Sequence, residues 1–385
     1  MGNPVGPVNT VNVCMGHDPA LAGLYRGVNA FSNALDAPIL SVEPTKRVYA
    51  PCEGTVFRLE AAGDWDMFST HHLNRSAVDA TESLLRDTRL LVVHSLFRGH
   101  AAFAMRLAAE KRKQYWAVPH GCLDPWGMSR RGLQKRLWMA AIGHRYITRA
   151  RHLLFSSKRE AEKAIAWTHG ARTAVVHFPV PLPDLRHQDA ARKSLRGKLG
   201  LPESVRILMY VGRLHAMKRP RSLLQAFLRA EAADLALVFV GGDDDLTSAD
   251  LARAIPRSEA GRVRFTGALS GGDLDEAYLA ADGFISLSHR ENFGFSLAEA
   301  CAYGLPFITT PGHDLVHEMP RGVAAAGGVG WVLPDTSEAA AVQAIQAFVA
   351  ASETRLRGMG DSARAWVAEN LSPEAFRSHL AALAP

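Results

Sequence analysis

Two basic residues follow one predicted strand of the sequence. Arg213 and Lys218 come after the apolar run 206–211, in a loop that Gly212 allows to turn tightly. An Arg and a Lys a few residues apart on such a loop can bind a pyrophosphate, the Arg through its forked guanidinium and the Lys as a point charge. The pair therefore predicts diphosphate recognition, and the alternative is that both are solvated loop charges.

A second group of polar residues follows the predicted strand 283–287. Glu291 lies in the loop after this strand, and residues 294–296 open a helix whose first N–H groups and positive dipole end favour a phosphate. Glu299 falls about one turn into that helix among apolar neighbours, where an acid is costly unless it faces a polar ligand. The alternative is a first-turn acid that complements the helix dipole. With no third oxygen donor beside them, the two carboxylates do not predict a metal site.

A histidine at a strand end is the candidate in the first half of the chain. His120 follows the predicted strand 115–118 and precedes Gly121. A lone histidine in this position is usually structural, and His94 at the end of 90–94 is a second candidate of the same kind. The adjacent pair at 71–72 is not expected to bind a metal, because neighbouring side chains diverge on a helix or a strand.

The elements that must position these groups alternate twice between strand and helix. Strands are predicted at 11–15, 90–94, 115–118, 153–156 and 173–177, and again at 206–211, 236–240, 262–265, 283–287 and 306–309. Helices are predicted at 28–35, 101–113, 221–230, 274–281 and 296–303. Such alternation is typical of parallel sheets covered by helices on both faces, which bind ligands at the carboxyl ends of their strands.

This pattern predicts an α/β protein of two Rossmann-like, doubly wound domains that face a central cleft. Residues 1–185 form the predicted N-terminal domain, 186–203 a linker rich in charge, and 204–362 the C-terminal domain. The segment 363–385 reads as helical with a break at 372–374, and we expect it to pack back on the N-terminal domain.

Composition agrees with two soluble domains. The chain has 385 residues, 48% hydrophobic and 21% charged, which is enough to bury two cores and excludes a disordered or fibrous class. No run reaches the roughly 18 apolar residues that span a bilayer, and no signal peptide is expected at the N-terminus. The four cysteines include no close pair, so they predict neither a zinc site nor a disulfide framework.

Positive charge is concentrated in the first half of the chain. The net charge is +6, and residues 1–185 carry 23 Lys and Arg against 15 Asp and Glu. The stretch 125–159 contains nine basic residues and no acidic one, interleaved with Trp138, Met139, Ile142 and Tyr146. A basic amphipathic helix of this kind suits an anionic membrane surface, and the alternative is an ordinary solvated face. Nucleic acid is not expected, since no nucleic-acid motif accompanies the charges.

The Glu-x7-Glu pattern of Glu291 and Glu299 resembles the retaining glycosyltransferases of the GT-B fold in glycosyltransferase family 4. Most of residues 205–335 shares this resemblance, through segments 211–214 with Lys218, 241–243, 265–267 and 302–310. Segment 22–28 is similar to the glycine-rich first loop of the family, with Ala22 in place of one of its paired glycines. Segment 119–126 resembles the Pro-His-Gly-Met-Leu-Asp-Pro-Trp sequence of a bacterial surface-polysaccharide branch, with Cys122 in place of Met.

The resemblance implies a role for each matching residue. His120 and Glu291 would be catalytic residues that contact the transferred sugar, Glu299 would bind the ribose hydroxyls, and the loop after Phe265 would lie beside the base. The residues implied in donor binding are Arg213, Lys218, Glu299, Asn292, Phe293, Gly294, Phe295, Gly23 and Arg26. No metal site is implied, because Asp243-Asp244-Asp245 has metal-motif spacing but lies in the Gly-Gly-Asp loop of the second domain.

The implied function is retaining transfer of a sugar from a nucleotide-diphosphate sugar, such as a UDP- or GDP-sugar. The acceptor would be a hydroxyl of a saccharide or of a polyprenyl-diphosphate-linked saccharide, in bacterial exopolysaccharide, capsule or lipopolysaccharide synthesis. No cofactor would be required, although Mg²⁺ could associate with the diphosphate. We expect a cytoplasmic enzyme, peripheral on the inner face of the cytoplasmic membrane through residues 130–151.

Two alternatives stay open from the sequence. One is a GT-B relative that acts on soluble sugars or sugar phosphates, of the sucrose or trehalose synthase, phosphorylase or epimerase type. The other is a non-catalytic scaffold that has kept only nucleotide binding. The presence of all five residues implied in donor binding and catalysis argues against this scaffold: Arg213, Lys218, Glu291, Glu299 and His120.

Overall fold

The computed structural model describes residues 9–17, 23–44, 56–61, 84–319 and 328–384. The chain divides into two compact units: unit 1 contains residues 1–179 and 373–385, and unit 2 contains residues 180–372. The adjacent histidines 71–72 and Ala22 lie outside the described residues.

The described part of unit 1 is built on a parallel sheet of seven strands. Their order across the sheet is β3-β2-β1-β4-β5-β6-β7, and every neighbouring pair is parallel. The strands are β1 Thr10–Met15, β2 Ile39–Pro44, β3 Val56–Ala61, β4 Leu90–His94, β5 Gln114–Val118, β6 His152–Phe155 and β7 Thr173–Val175.

Helices cover this sheet. They are α1 Gly23–Leu35, α2 Gly99–Glu110, α3 Pro125–Ser129, α4 Gly132–Trp138, α5 His144–Arg149, α6 Lys158–Ala164 and, near the end of the chain, α14 Pro373–Leu383. A π-helical turn, Met139–Gly143, joins α4 to α5. The core is apolar, and all five residues of β4 are buried, as expected for a strand with helices on both faces.

Unit 2 has the same architecture in its described residues, with six parallel strands in the order β10-β9-β8-β11-β12-β13. The strands are β8 Arg206–Val211, β9 Leu235–Val240, β10 Val263–Gly267, β11 Gly283–Ser286, β12 Phe307–Thr309 and β13 Gly330–Val332. The helices are α7 Gln188–Leu199, α8 Pro220–Arg229, α9 Ser248–Ala252, α10 Gly271–Ala280, α11 Phe295–Ala302, α12 Glu338–Ala350 and α13 Glu353–Asn370.

The ten strands predicted from sequence are present, and three further strands were missed. Edge strand β3 alternates apolar with charged residues, β2 ends in Pro44, and β13 has only three residues. Their sequences lack the continuous apolar run that marks a strand buried on both faces.

The unit boundaries differ from those predicted. Residues 186–203 were expected to be a linker, but α7 occupies most of them and packs on α10 within unit 2. Its Arg196 is buried and forms an ion pair with Asp282 at 2.7 Å, so charge in this segment marks a packed helix. The predicted segment 363–385 is also divided, because α13 belongs to unit 2 and only 373–385 belongs to unit 1.

The break in this C-terminal segment lies where the sequence indicates it. Helix α13 ends at Asn370 and α14 begins at Pro373, whose missing N–H and fixed φ suit a first helical position. Phe376 of α14 packs edge-on against Phe31 of α1, with ring centroids 5.1 Å apart. Of the described helices, none is both long and apolar enough to cross a membrane.

Candidate functional site

Three strand-end loops of unit 2 are held together by glycines. The backbone N–H of Gly212 donates to Val240 at 2.9 Å, and that of Gly241 donates to Gly267 at 2.8 Å. A Cβ at Gly241 would lie 1.8 Å from the carbonyl oxygen of Gly212. No side chain fits there, so these motif glycines bring the loops after β8, β9 and β10 into direct contact.

The loops after neighbouring strands β8 and β11 bring two predicted site residues together. Lys218 Nζ forms an ion pair with the Glu291 carboxylate, and both side chains are largely buried. The backbone N–H of His289 also donates to Met217 at 2.8 Å, which fixes one loop against the other. The residues that sequence placed on separate loops therefore form one polar centre.

A second layer of residues holds Glu291 in place. Its N–H donates to Gly312 and its carbonyl accepts from the Asp314 N–H, both at 2.9 Å. His313 lies buried beside it, with Nε2 3.0 Å from the Ser286 hydroxyl. Burial acts to raise the pKa of the Glu291 carboxyl, but Lys218 and further favourable contacts bring its pKa below the ordinary value. Glu291 is therefore a carboxylate at neutral pH.

Arg213 has a carboxylate partner in the next loop. Its guanidinium forms an ion pair with Asp244, and the Arg213 side chain is 59% exposed. His215 Nε2 lies 3.1 Å from the neighbouring Asp245. Arg213 is thus positioned at the carboxyl edge of the sheet, where an incoming anion would compete with Asp244.

Helix α11 begins beside this centre. Gly294 precedes it at φ +76° and carries no side chain that could cap the first N–H groups. A Cβ there would lie 3.2 Å from His313 Nδ1 and would sit in a left-handed conformation, so glycine is strongly favoured. The positive end of the helix therefore begins without a side-chain cap from position 294.

The other predicted residues around α11 have distinct environments. Glu299 is partly buried and accepts a hydrogen bond from the Tyr278 hydroxyl at 3.0 Å. Arg290 donates to the side chain of Asn292 at 3.2 Å. Phe293 is buried and packs edge-on against Phe295, so its side chain belongs to the packing around α11.

His120 in unit 1 sits on a strained loop. It has φ +50°, in the left-handed region that non-glycine residues rarely adopt, and Gly121 follows at φ +75°. The Gly121 N–H donates to buried Glu160 at 2.6 Å, and Glu160 also accepts from the Ser156 N–H and hydroxyl. This carboxylate fixes the backbone that presents the His120 ring.

The His120 ring is enclosed by aromatic and glycine neighbours. It stacks on Phe178 with ring centroids 5.5 Å apart and an interplanar angle of 5°. A Cβ at Gly27 would come within 2.6 Å of its Cε1, so α1 approaches the ring directly. Burial lowers the pKa of His120 to about 3, and the imidazole is neutral at pH 7. Gly23 and Arg26 lie in the first turn of the same helix.

The basic stretch of unit 1 has a different apolar face from the one predicted. Trp138, Met139 and Tyr146 are buried in the core, so they are not available to a membrane surface. They belong to the buried side of the α4–α5 segment, whereas Arg131, Arg136, Arg145 and Arg149 are exposed. The exposed apolar residues on this segment are instead Leu133 and Leu137, 74% and 55% exposed.

Sequence reasoning missed several residues that complete these sites. Glu160, Asp244 and His313 each contact a predicted residue or its chain neighbour from a distant part of the chain, and only Asp244 lay in a motif that had been singled out. Among the described residues, no group of three His, Cys, Asp or Glu is arranged to hold a metal ion.

Comparison with known proteins agrees with this architecture. Residues 191–366 match the family model described as "Glycosyl transferases group 1". D-inositol 3-phosphate glycosyltransferase from Mycolicibacterium gilvum is 28% identical over 318 residues, which cover 77% of this chain and 67% of that protein. Further relatives of that name align over less than half of their own lengths.

Two solved structures resemble the whole chain. Sucrose-phosphate synthase from Thermosynechococcus elongatus superposes with a TM-score of 0.75 at 20% identity, covering 97% of this chain and 98% of that one. Anabaena HepE in complex with UDP and glucose superposes with a TM-score of 0.74 at 14% identity and the same coverage. The family match over residues 191–366, the two parallel α/β units and the polar centre after β8 and β11 agree: this segment is similar to the group 1 glycosyltransferases, and the chain has the GT-B fold.

Proposed function

We propose that the protein transfers a sugar from a UDP-sugar to an acceptor hydroxyl with retention of anomeric configuration. The observation that carries this proposal is the pairing of Lys218 with Glu291 beside Arg213 and the start of α11. That arrangement offers cations for a diphosphate and a carboxylate for sugar hydroxyls. UDP is the preferred nucleotide because the structurally similar HepE was solved with UDP and with UDP-glucose.

The proposed chemistry depends on charge. As the bond between the sugar C1 and the diphosphate oxygen breaks, its electron pair goes to the departing diphosphate and the sugar becomes oxocarbenium-like. Lys218, Arg213 and the N–H groups at the start of α11 stabilise the leaving phosphate, without a required metal ion. The acceptor hydroxyl attacks on the same face and gives its proton to the departing phosphate oxygen.

Each carboxylate has a proposed binding role. Glu291 is ionised and held by its backbone and by Lys218, so it can accept hydrogen bonds from hydroxyls of the transferred sugar. Glu299 keeps its carboxylate oriented through Tyr278 and binds the ribose hydroxyls. In unit 1, His120 is the proposed catalytic residue that contacts the transferred sugar.

Two acceptor classes fit the chain. The relative's name, D-inositol 3-phosphate glycosyltransferase, and the structural neighbour's name, sucrose-phosphate synthase, favour a soluble phosphorylated acceptor. The exposed leucines of α4, together with exposed Arg131 and Arg136, favour a lipid-linked saccharide at an anionic bilayer. Both acceptors are anionic, which agrees with the basic first half of the chain.

The first experiment is titration of the wild-type protein with UDP, GDP, ADP and dTDP by calorimetry. We expect UDP to bind, and Lys218→Ala to weaken binding by about tenfold or more, because a charge-assisted hydrogen bond contributes about 1.5–3 kcal/mol. The matched control is Lys198→Ala, which removes a unit 2 lysine paired with Glu276 outside the strand-end loops. Binding of no nucleotide by the wild type, or an equal loss in both variants, contradicts the proposed donor site.

Transfer is then measured with labelled UDP-sugars and two acceptors, a soluble sugar phosphate and a polyprenyl-diphosphate-linked saccharide. Product with one acceptor assigns the class. Inverted configuration of the product contradicts the proposed retention.

A further inference from the structure

Three polar side chains of unit 1 form a chain of hydrogen bonds that ends at His120. Asn12 Oδ1 lies 3.1 Å from His94 Nε2, and His94 Nδ1 lies 3.0 Å from His120 Nε2. Asn12 lies near the middle of β1 and His94 at the carboxyl end of the neighbouring strand β4, and both are fully buried. The direction in which protons point along this chain decides what His120 offers to a ligand.

The orientation of Asn12 sets that direction. Its Nδ2 faces the carbonyl oxygen of Ala37 at 3.5 Å, and a carbonyl can only accept a hydrogen bond. The amide nitrogen therefore points to Ala37 and the amide oxygen to His94. Because this oxygen can only accept, His94 Nε2 must carry a proton.

The protonation of His94 then determines that of His120. Burial holds the pKa of His94 well below its ordinary value, and His120 and His100 lower it further, so His94 is neutral. A neutral imidazole with a proton on Nε2 has a lone pair on Nδ1. That lone pair accepts from His120, whose proton must accordingly be on Nε2.

We infer that Asn12 and His94 are positioning residues that hold His120 in the tautomer protonated on Nε2, so that its Nδ1 accepts a hydrogen bond from a substrate hydroxyl. The part of this inference that concerns substrate rests on the proposed contact between His120 and the transferred sugar. The tautomer itself rests on the three side chains and on Ala37. His120 would thus act as an acceptor, whereas its only ring proton is committed to His94.

Neighbouring aromatic rings and a backbone hydrogen bond hold His94 and His120 in place. His94 packs edge-on against Phe31, and His120 stacks on Phe178. The backbone carbonyl of His94 accepts from His100 Nε2 at 2.7 Å, which ties α2 to the end of β4. The other titratable group that acts on His94 is His17, and its effect also lowers the pKa of His94.

The test is the nitrogen spectrum of the wild-type protein labelled with ¹⁵N-histidine. Long-range ¹H–¹⁵N correlations distinguish the two neutral tautomers, and His120→Gln identifies the His120 signals. We expect the Nε2-protonated pattern for both His94 and His120 at pH 7. An Nδ1-protonated or mixed pattern at His120 in the wild type would overturn the inference.

Two substitutions at position 94 test the positioning role. His94→Leu removes the acceptor, and we expect a mixed His120 tautomer and a kcat about a hundredfold lower, with the donor KM nearly unchanged. His94→Gln restores an acceptor oxygen and should recover the tautomer and most of the rate. A kcat of His94→Leu equal to that of the wild type, despite a changed tautomer, would contradict the positioning role.

The inference and the proposed function fail in different ways. If the wild-type spectrum shows the Nε2-protonated tautomer but His120→Gln transfers sugar at the normal rate, the proposed contact of His120 with the sugar is wrong. If His120→Gln is inactive but the wild-type spectrum shows a proton on His120 Nδ1, the catalytic assignment of His120 holds. The inferred chain of hydrogen bonds through Asn12 and His94 is then wrong.

Discussion

Glu291 and Lys218 form an ion pair although they lie 73 positions apart in the sequence. The neighbouring parallel strands β8 and β11 bring their loops to the same edge of the sheet. The pair is therefore made by the fold of unit 2 itself. Before any donor binds, a cation for phosphate and a carboxylate for hydroxyls are already held in contact, which lowers the ordering cost of binding.

The ion pair predicts a pH-dependent contribution to stability. The pKa of Glu291 is lower in the folded protein than its ordinary value of 4.5. As pH falls, the carboxylate is therefore protonated in the unfolded state before it is protonated in the folded state. The contribution is complete above pH 4.5 and is lost as pH falls through the folded pKa. At pH 7 we expect Glu291→Gln to lower the free energy of unfolding by about 2 kcal/mol, because Lys218 loses its partner. Thermal unfolding should show this difference shrinking toward pH 3.

The control for this measurement is Glu353→Gln. Glu353 pairs with Arg357 on the exposed surface of α13, where an ion pair contributes little. Its Tm should stay within about one degree of the wild type across the range. A Glu291→Gln difference that is the same at pH 3 and pH 7 would show that the carboxylate does not gain stability from Lys218.

Asp244 is predicted to oppose donor binding. It neutralises the exposed guanidinium of Arg213, so a diphosphate must displace it or share the arginine. We expect Asp244→Asn to tighten UDP binding by about fivefold in calorimetry at low salt, which corresponds to about 1 kcal/mol. Asp245→Asn is the matched control, because it removes the same charge one position away without releasing Arg213. If Asp244→Asn weakens binding, the aspartate orients Arg213 for the donor instead of competing with the donor.

Sequence patterns predicted the fold well where strands are buried on both faces. The run Leu235–Val240 is wholly apolar and wholly buried, and its prediction as a strand needed no tertiary information. Edge strand β3 could not be recognised in this way, because in the part of the chain that the structure describes it pairs with β2 alone, and its sequence alternates apolar with charged residues. The helix in 188–199 was missed because the segment is strongly charged and flanked by prolines, and its few buried residues gave a weak signal.

The candidate site was predictable in part for a related reason. Glycines and charged residues that follow a predicted strand can be recognised from the sequence alone, and Arg213, Lys218 and Glu291 were identified on that basis. Residues that act through another residue, such as His313 beside Glu291 and Asn12 beside His94, cannot be told from other polar residues in the sequence. Their partners are set by strand order, which places β1 next to β4 although 74 residues separate the end of β1 from the start of β4.

Gly27 is predicted to be essential to the position of His120. A methyl group at this position would lie 2.6 Å from His120 Cε1 and must displace the ring. We expect Gly27→Ala to lower kcat about a hundredfold, since small displacements of a catalytic group cost that much, while calorimetric UDP binding stays normal. Gly197→Ala on α7 is the control, because a Cβ there meets nothing within 4 Å. This change should be neutral or slightly stabilising. Normal turnover in Gly27→Ala would contradict the catalytic role of His120 or the tightness of this contact.

The exposed face of α4 is predicted to bind anionic bilayers. Leu133 and Leu137 are one helical turn apart and exposed, and Arg131 and Arg136 are exposed on the same helix segment. A basic residue near an anionic surface contributes about 1 kcal/mol, so Arg131→Glu with Arg136→Glu should weaken partitioning about thirtyfold or more. Flotation with phosphatidylglycerol vesicles measures this, and 0.5 M salt or phosphatidylcholine should abolish it.

The control pair, Lys111→Glu with Arg112→Glu, makes the same charge change at exposed positions after α2, without neighbouring exposed leucines. A general effect of net charge would weaken partitioning equally in both pairs, whereas docking through α4 predicts a much larger loss for the arginines. Leu133→Ser with Leu137→Ser should also reduce binding, and this reduction should persist at low salt because it removes apolar insertion. Wild-type protein that does not float with anionic vesicles would leave this face solvated and would favour the soluble phosphorylated acceptor.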